Sequence, residues 1–152
     1  MDWLLEAVAL AALVSMYALA VGSWTELPEV VPTHFGISGG PNAWGSKQTI
    51  WLLPALGVLI YALLTVSARY TKFVNLPFPV DRNAPEVQRI LARMMIAMKA
   101  VTMLLFAYIV WGQIRSAMSQ ANGLGLALLP VFLVGTLLPM LVYLRQLRRY
   151  RK

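Results

Sequence analysis

Leu27-Pro28-Glu29-Val30-Val31-Pro32-Thr33-His34-Phe35-Gly36-Ile37-Ser38-Gly39-Gly40-Pro41-Asn42-Ala43-Trp44-Gly45-Ser46-Lys47 is the one long stretch of this chain that does not read as a membrane helix. It holds three prolines, four glycines and the sole histidine, His34, between two continuous apolar runs. Proline fixes φ and withholds a backbone donor, while glycine admits positive φ and close backbone approach. The composition therefore specifies a shaped connection, and its ends decide how the flanking runs are counted.

Upstream, Trp3 to Val21 is an apolar run broken only by Glu6. At ~1.5 Å per residue it is long enough to cross ~30 Å of hydrocarbon. Its Met-Asp start carries no basic segment, which argues against a cleaved signal peptide in spite of the Ala18-Leu19-Ala20 triplet. Ala7, Ala11, Ser15, Ala18 and Gly22 align small side chains on one face, and that face is expected to pack against a neighbouring helix.

Downstream, Ser46 is placed to cap a second helix, in which Pro54 falls in the second turn and is expected to kink it. Trp51 and Tyr70 lie near its two ends, where amphipathic rings sit at the headgroup level. A polar connection follows. Asn83-Ala84-Pro85-Glu86 reads as a cap residue with a reciprocal acidic partner three positions on. The third apolar run, Ile90 to Trp111, contains Met94, Met95, Met98 and Met103, read as adaptable packing because no other soft ligand accompanies them. After a polar break at Gln113–Gly123 comes a fourth run, interrupted by Pro130, Gly135 and Pro139 and expected to bend.

The expected architecture is an all-α integral-membrane fold. It is a four-transmembrane-helix bundle with helices at about 3–22, 47–68, 84–112 and 124–147, and an ordered extracytoplasmic loop at 23–46, forming one domain over 1–152. The totals agree with this. Hydrophobic residues make up 59% of the chain and charged residues 12%, which excludes an ordinary soluble domain. The mean hydropathy of +0.67 points the same way. The lack of cysteine removes disulfides, thiolate metal sites and a cysteine nucleophile.

The net charge of +7 does not indicate nucleic acid, because the basic residues cluster at the ends of apolar runs and no recognition motif accompanies them. Arg69, Lys72, Arg82, Arg89 and Arg93 lie between helices two and three, and Arg145, Arg148, Arg149, Arg151 and Lys152 form the tail. Only Lys47 and Arg115 belong to the other two connections. Positive charge accumulates on the cytoplasmic side, so both termini are expected inside a cell membrane and Leu27–Lys47 outside. Membrane lipids are the expected partners of the basic segments.

Leu27-Pro-x-x-Val-Pro-Thr-His-Phe35, then Gly39-Gly-Pro-Asn-Ala-Trp-Gly-Ser-Lys47 and a helix opening Ile50-Trp-Leu-Leu-Pro54, resembles the first-loop signature of a small prokaryotic integral-membrane family. That family is a domain of unknown function found in immunity proteins against a sporulation-delay toxin. The resemblance covers about Trp24 to Pro54 and elsewhere rests on hydropathy. It carries the family pattern onto His34, Phe35, Gly40, Asn42, Gly45, Ser46 and Lys47, although an acidic residue is common where Asn42 stands. It implies a loop that meets an extracellular peptide or a membrane-protein partner, in toxin immunity or signalling.

Read from the residues alone, Trp24, Phe35 and Trp44 provide an apolar underside for the loop, and His34 is expected to hydrogen-bond backbone groups or Asn42. Lys47 suits a salt bridge to Glu26 or Glu29. His34, Glu26 and Glu29 are also competent metal ligands or proton carriers, though not in a recognised zinc spacing. Within the spans, Glu6 and Lys99 reach similar depth. One reading pairs Glu6 with Arg93 while Lys99 snorkels to the cytoplasm; the other joins Glu6 to Lys99 in a proton- or ion-linked site. No nucleophile, phosphate loop or established metal spacing is present, so the expected function is non-enzymatic and without cofactor. The alternatives are an assembly subunit of a larger membrane complex or oligomer, and a loop metal site or ion-coupled transporter.

Overall fold

The computed structural model describes residues 2–151; Lys152, the last basic residue of the tail, lies outside the described residues. The chain runs α1 (Asp2–Ser23), β1 (Val30–Phe35), β2 (Pro41–Ser46), α2 (Leu52–Arg69), α3 (Pro85–Ala117) and α4 (Leu128–Leu147). Short 3-10 turns at Lys47–Trp51 and Arg148–Tyr150 extend α2 backward and α4 forward. Among the described residues four helices are long and apolar enough to cross a membrane, the pattern of a multi-pass membrane protein.

The connection between α1 and α2 corrects the all-α expectation. It is an antiparallel hairpin in which Val30 faces Ser46, Val31 faces Gly45 and Pro32 faces Trp44. The β-branched and aromatic residues of Val30–Phe35 favour extended backbone, and a two-stranded ribbon tolerates proline because each strand keeps one unpaired edge. Register irregularities flank His34. The turn closes through Gly36 N–H donating to Gly40 O at 2.8 Å and Gly39 N–H donating to Gly36 O at 2.8 Å. Gly39 makes this possible by taking φ +78.

Helix boundaries also shift for identifiable reasons. Ser46 caps as expected, its hydroxyl accepting from Gln48 N–H at 3.4 Å, but it opens a 3-10 turn. The α-helix starts at Leu52, so Pro54 falls in its first turn, where no intrahelical donor is needed. The capping box before α3 does not form. Ala84 is the cap residue without a side-chain bond, and Asp81 Oδ1 accepts from Asn83 N–H at 3.1 Å. Pro85 supplies the fixed φ of the first helical position. The same helix runs to Ala117 and absorbs Gln113, because that side chain is buried and bonded. α4 begins at Leu128, since Gly123 and Gly125 take positive φ and hold the preceding backbone out of helix.

Glu6 near the start of α1, Thr65 near the end of α2 and Lys99 in the first half of α3 meet, whereas the far end of α3 meets the hairpin. α1 and α3 therefore run the same way and α2 runs against them. The main core gathers Ala9, Ala12, Met16 and Ala20 of α1 with Ala100, Met103, Val110 and Ile114 of α3, capped by Val31 and Ile50. The stripe of α1 that packs is thus not the expected one. Ala7, Ala11, Ala18 and Gly22 are exposed, because α1 carries small residues on more than one face and sequence does not say which face meets α3. A second cluster buries Val87, Leu91 and Met94 of α3 with Leu147 under the α2–α3 connection. α4 is the least enclosed helix, with Leu147 its one buried residue.

Candidate functional site

The hairpin is held from several directions. Gln113 Nε2 donates to Pro32 O at 2.7 Å in a buried contact, tying β1 to the last turns of α3. Leu124 N–H donates to Gly39 O at 2.8 Å, which joins the turn to the α3–α4 connection. Tyr108 Oη donates to Leu124 O at 2.7 Å and fixes that connection to α3 in turn. A buried carbonyl or amide left without a partner costs free energy, so these bonds make the attached position of the hairpin the favoured one.

Across the hairpin, His34 Nδ1 and Asn42 Oδ1 are 2.5 Å apart. Asn42 Oδ1 can only accept, so His34 Nδ1 is the donor in this pair. Gly40 contributes the carbonyl that closes the turn, Gly45 pairs with Val31, and Phe35 is half-buried at the strand end. Lys47 Nζ is 2.8 Å from Glu29 Oε1 and 5.1 Å from the centroid of Trp24, whose ring stacks tilted on Trp51 at 5.7 Å. Trp24 is accordingly seated. Trp44 is not: it is 55% exposed.

His34, Glu26 and Glu29 do not converge. Glu29 is taken by Lys47, His34 by Asn42, and Glu26 stands exposed. Among the described residues no group of three or more histidine, aspartate or glutamate side chains is close enough to hold a metal ion.

Beneath the hairpin turn is an open cleft of about 880 Å³ between β1, the turn, α3 and the start of α4. Thr33, His34, Ser38 and Asn42 line its hairpin side, and Leu105, Ile109, Leu128, Leu129 and Phe132 its helical side. No residue lining it carries a formal charge; His34 is its titratable group.

At the opposite end of the bundle, Lys99 Nζ lies 2.7 Å from Glu6 Oε2 and 2.8 Å from Glu6 Oε1, donates to Thr65 Oγ1 at 2.8 Å, and sits 4.4 Å from the Tyr61 ring centroid. Tyr61 Oη donates to the same carboxylate at 3.4 Å. Arg93 instead pairs with Asp2 at 3.1 Å. Pairing Glu6 with Arg93 and letting Lys99 snorkel is thereby corrected: Lys99 is fully buried, and a buried ammonium takes the nearest carboxylate and hydroxyl. Gln113, Thr65, Tyr61 and Asp2 do not stand out in the sequence. A polar side chain inside or bordering an apolar run is the available signal for the first three, and Asp2 gives none.

Residues 10–58 match a family described as Domain of unknown function (DUF1648). An uncharacterized protein of Archaeoglobus fulgidus is 38% identical over 74 residues, covering 43% of this chain and 39% of that protein. The chain thus spans about two fifths of the length of the curated relative it matches. No solved structure matches it. From Leu10 in α1, through the hairpin and to Val58 in α2, the chain is similar to a small family whose function its description leaves open.

Proposed function

We propose that this is a non-enzymatic membrane protein whose hairpin lies outside the cell, with both termini cytoplasmic, and recognises an extracellular factor such as a peptide toxin. The observation that carries this reading is the combination of anchoring and exposure. The hairpin is bonded to α3 and to the α3–α4 connection, yet it presents Ile37 at 87% exposure and Trp44 at 55%. A rigid apolar surface beside polar groups is what a recognition element needs, since little ordering entropy remains to be lost on binding. The resemblance of the loop to immunity proteins supports the same reading, and the excess of basic residues in the α2–α3 connection and tail supports the orientation. Deleting the protein should sensitise cells to a peptide toxin, and His34→Ala, which removes the cross-strand bond, should reproduce the defect. Indifference to both changes would rule out immunity.

A second reading, an assembly subunit, is favoured by the exposed small-residue face of α1 at Ala7, Ala11, Ala18 and Gly22, which admits close approach of another helix. Co-purification of a stoichiometric membrane partner in mild detergent, lost on Ala11→Leu, is its test.

A further inference from the structure

The two strands of the hairpin differ in what closes their outer edges. Lys47 N–H donates to Glu29 O at 2.9 Å, and from there the register pairs Val30 with Ser46, Val31 with Gly45 and Pro32 with Trp44. In an antiparallel ladder, opposed residues alternate between pairs that exchange main-chain bonds and pairs that do not. Counted from Glu29 and Lys47, Val31 and Gly45 bond to each other, whereas Val30, Ser46, Pro32 and Trp44 turn their main-chain groups outward. Two contacts agree with this count. Pro32 O is bonded from outside the ribbon by Gln113 Nε2 at 2.7 Å, and Ser46 O by Thr49 Oγ1 at 2.8 Å.

The β1 edge is therefore closed at Pro32, which has no N–H to offer, whose carbonyl is taken and which is buried together with Val31. The β2 edge is open. Among the described residues Trp44 N–H, Trp44 O and Ser46 N–H have no partner within the chain, and Asn42, Ala43, Trp44 and Ser46 are exposed. Strand edges are ordinarily blunted by proline, by lysine or by a covering segment, and Ala43-Trp44-Gly45 has none of these.

We propose that an extended peptide segment of the extracellular factor adds to this edge as a third, antiparallel strand along Asn42–Ser46. One of its residues would exchange both main-chain bonds with Trp44, and the carbonyl two residues away would accept from Ser46 N–H. This rests on the reading of the hairpin as a recognition element and names what that element recognises. The partner is a linear segment with a free N–H opposite Trp44, hence no proline there, and an apolar side chain at that position to lie beside the indole. A second copy of the chain fits less well. The edge is about 13 Å long, and such a strip falls far short of the ~1,200 Å² that a stable interface buries. The edge is also distinct from the cleft, whose hairpin wall is formed by Thr33 to Gly39 and Asn42.

The test uses the full-length chain in nanodiscs and a displayed library of linear seven-residue peptides. Peptides selected on the unaltered protein should lose roughly tenfold or more in affinity on Trp44→Pro and keep most of it on Trp44→Phe. Trp44→Pro removes an outward N–H and no bond within the ribbon, as edge strands tolerate. On the unaltered protein, a bound peptide should slow amide exchange at Trp44 and Ser46 and leave Gly45, already paired with Val31, unchanged. N-methylation of the paired peptide residue should abolish binding. These last two measurements decide the matter even where Trp44→Pro fails to fold. Failure to select any peptide, or selected peptides that leave Trp44 and Ser46 exchange unchanged, would overturn the edge as a docking site. A covalent dimer formed by Ala43→Cys in membranes would assign the edge to a second copy and overturn the peptide. Peptide binding at the edge in a protein whose deletion leaves cells indifferent to toxin would reject immunity alone; sensitised cells without edge binding would reject the edge alone.

Discussion

Lys99 Nζ and Glu6 Oε2 stand 2.7 Å apart across the contact of α1 with α3, and the lysine side chain is fully buried while the glutamate is 37% exposed. The asymmetry decides which partner depends on the other. Glu6 keeps an open side, whereas the enclosed Lys99 depends on Glu6, Thr65 and the face of Tyr61 for all of its stabilisation.

Glu6→Gln should therefore destabilise the protein by roughly 3 kcal/mol, since it strands a buried charge. The double change Glu6→Gln with Lys99→Met should recover most of that loss, because an uncharged seam needs no counter-ion. Thermal unfolding in detergent reads both. A double variant no more stable than Glu6→Gln would mean that the ammonium itself, through Thr65 and Tyr61, holds the three helices.

Arg93→Ala should change stability by under about 0.5 kcal/mol, and its effect should fade in high salt. The Asp2–Arg93 pair is close to half exposed on both sides. The comparison with Glu6→Gln in the same unfolding assay separates a surface pair from a buried one. Equal losses would contradict the difference in burial.

Gln113→Leu removes the donor that satisfies Pro32 O while keeping the side chain's bulk. The expected cost is about 1–3 kcal/mol, concentrated in the attachment of β1. Amide hydrogen exchange is the suitable measurement: protection should drop in Val30–Phe35 and stay unchanged in the middle of α1. Unchanged protection of the hairpin would mean that the Gly39–Leu124 contact suffices alone.

Gly39→Ala and Gly125→Ala should differ in severity. Both positions have φ +78, a conformation that costs a side-chain-bearing residue roughly 1–2 kcal/mol. A β-carbon on Gly39 would also meet the Gly125 carbonyl oxygen at 2.5 Å, whereas one on Gly125 would meet nothing within 4 Å. Limited proteolysis of the α3–α4 connection should therefore accelerate far more in the first variant. Similar rates would show that the turn and the connection separate readily.

Reporter fusions test the orientation. An enzyme active only outside the cytoplasm should be active when inserted after Gly39 and silent when fused after Arg151. The reverse pattern would invert the placement of the hairpin and of the basic segments together.

The four spans are legible in the sequence because each is a sustained apolar run, and hydrocarbon imposes a length that can be counted along a chain. Ser46 as a cap and the shaped character of Leu27–Lys47 are legible for a related reason, since proline, glycine and serine act on their own backbone. The hairpin itself is not, because a two-stranded ribbon needs partners brought together from both sides of a turn, and Pro32 and Pro41 obscure its alternation. The start of α4 is hidden because Leu124 and Leu126 continue the apolar pattern, while Gly123 and Gly125 are recruited by the close approach of the Gly39 turn.

By itself, then, the sequence determined what depends on one segment at a time: how many helices can cross a membrane, where the chain must turn, and which polar residues lie between or within the spans. The tertiary structure decided every choice among comparable partners. Glu6 had two cations within reach, and depth in the bundle gave it Lys99 and left Arg93 to Asp2. The small residues of α1 offered more than one packing stripe, and contact with α3 selected Ala9, Ala12, Met16 and Ala20. Gln113 found its acceptor 81 residues away, at Pro32. Such choices turn on distances between segments far apart in the chain, and only the packed arrangement of the helices sets those distances.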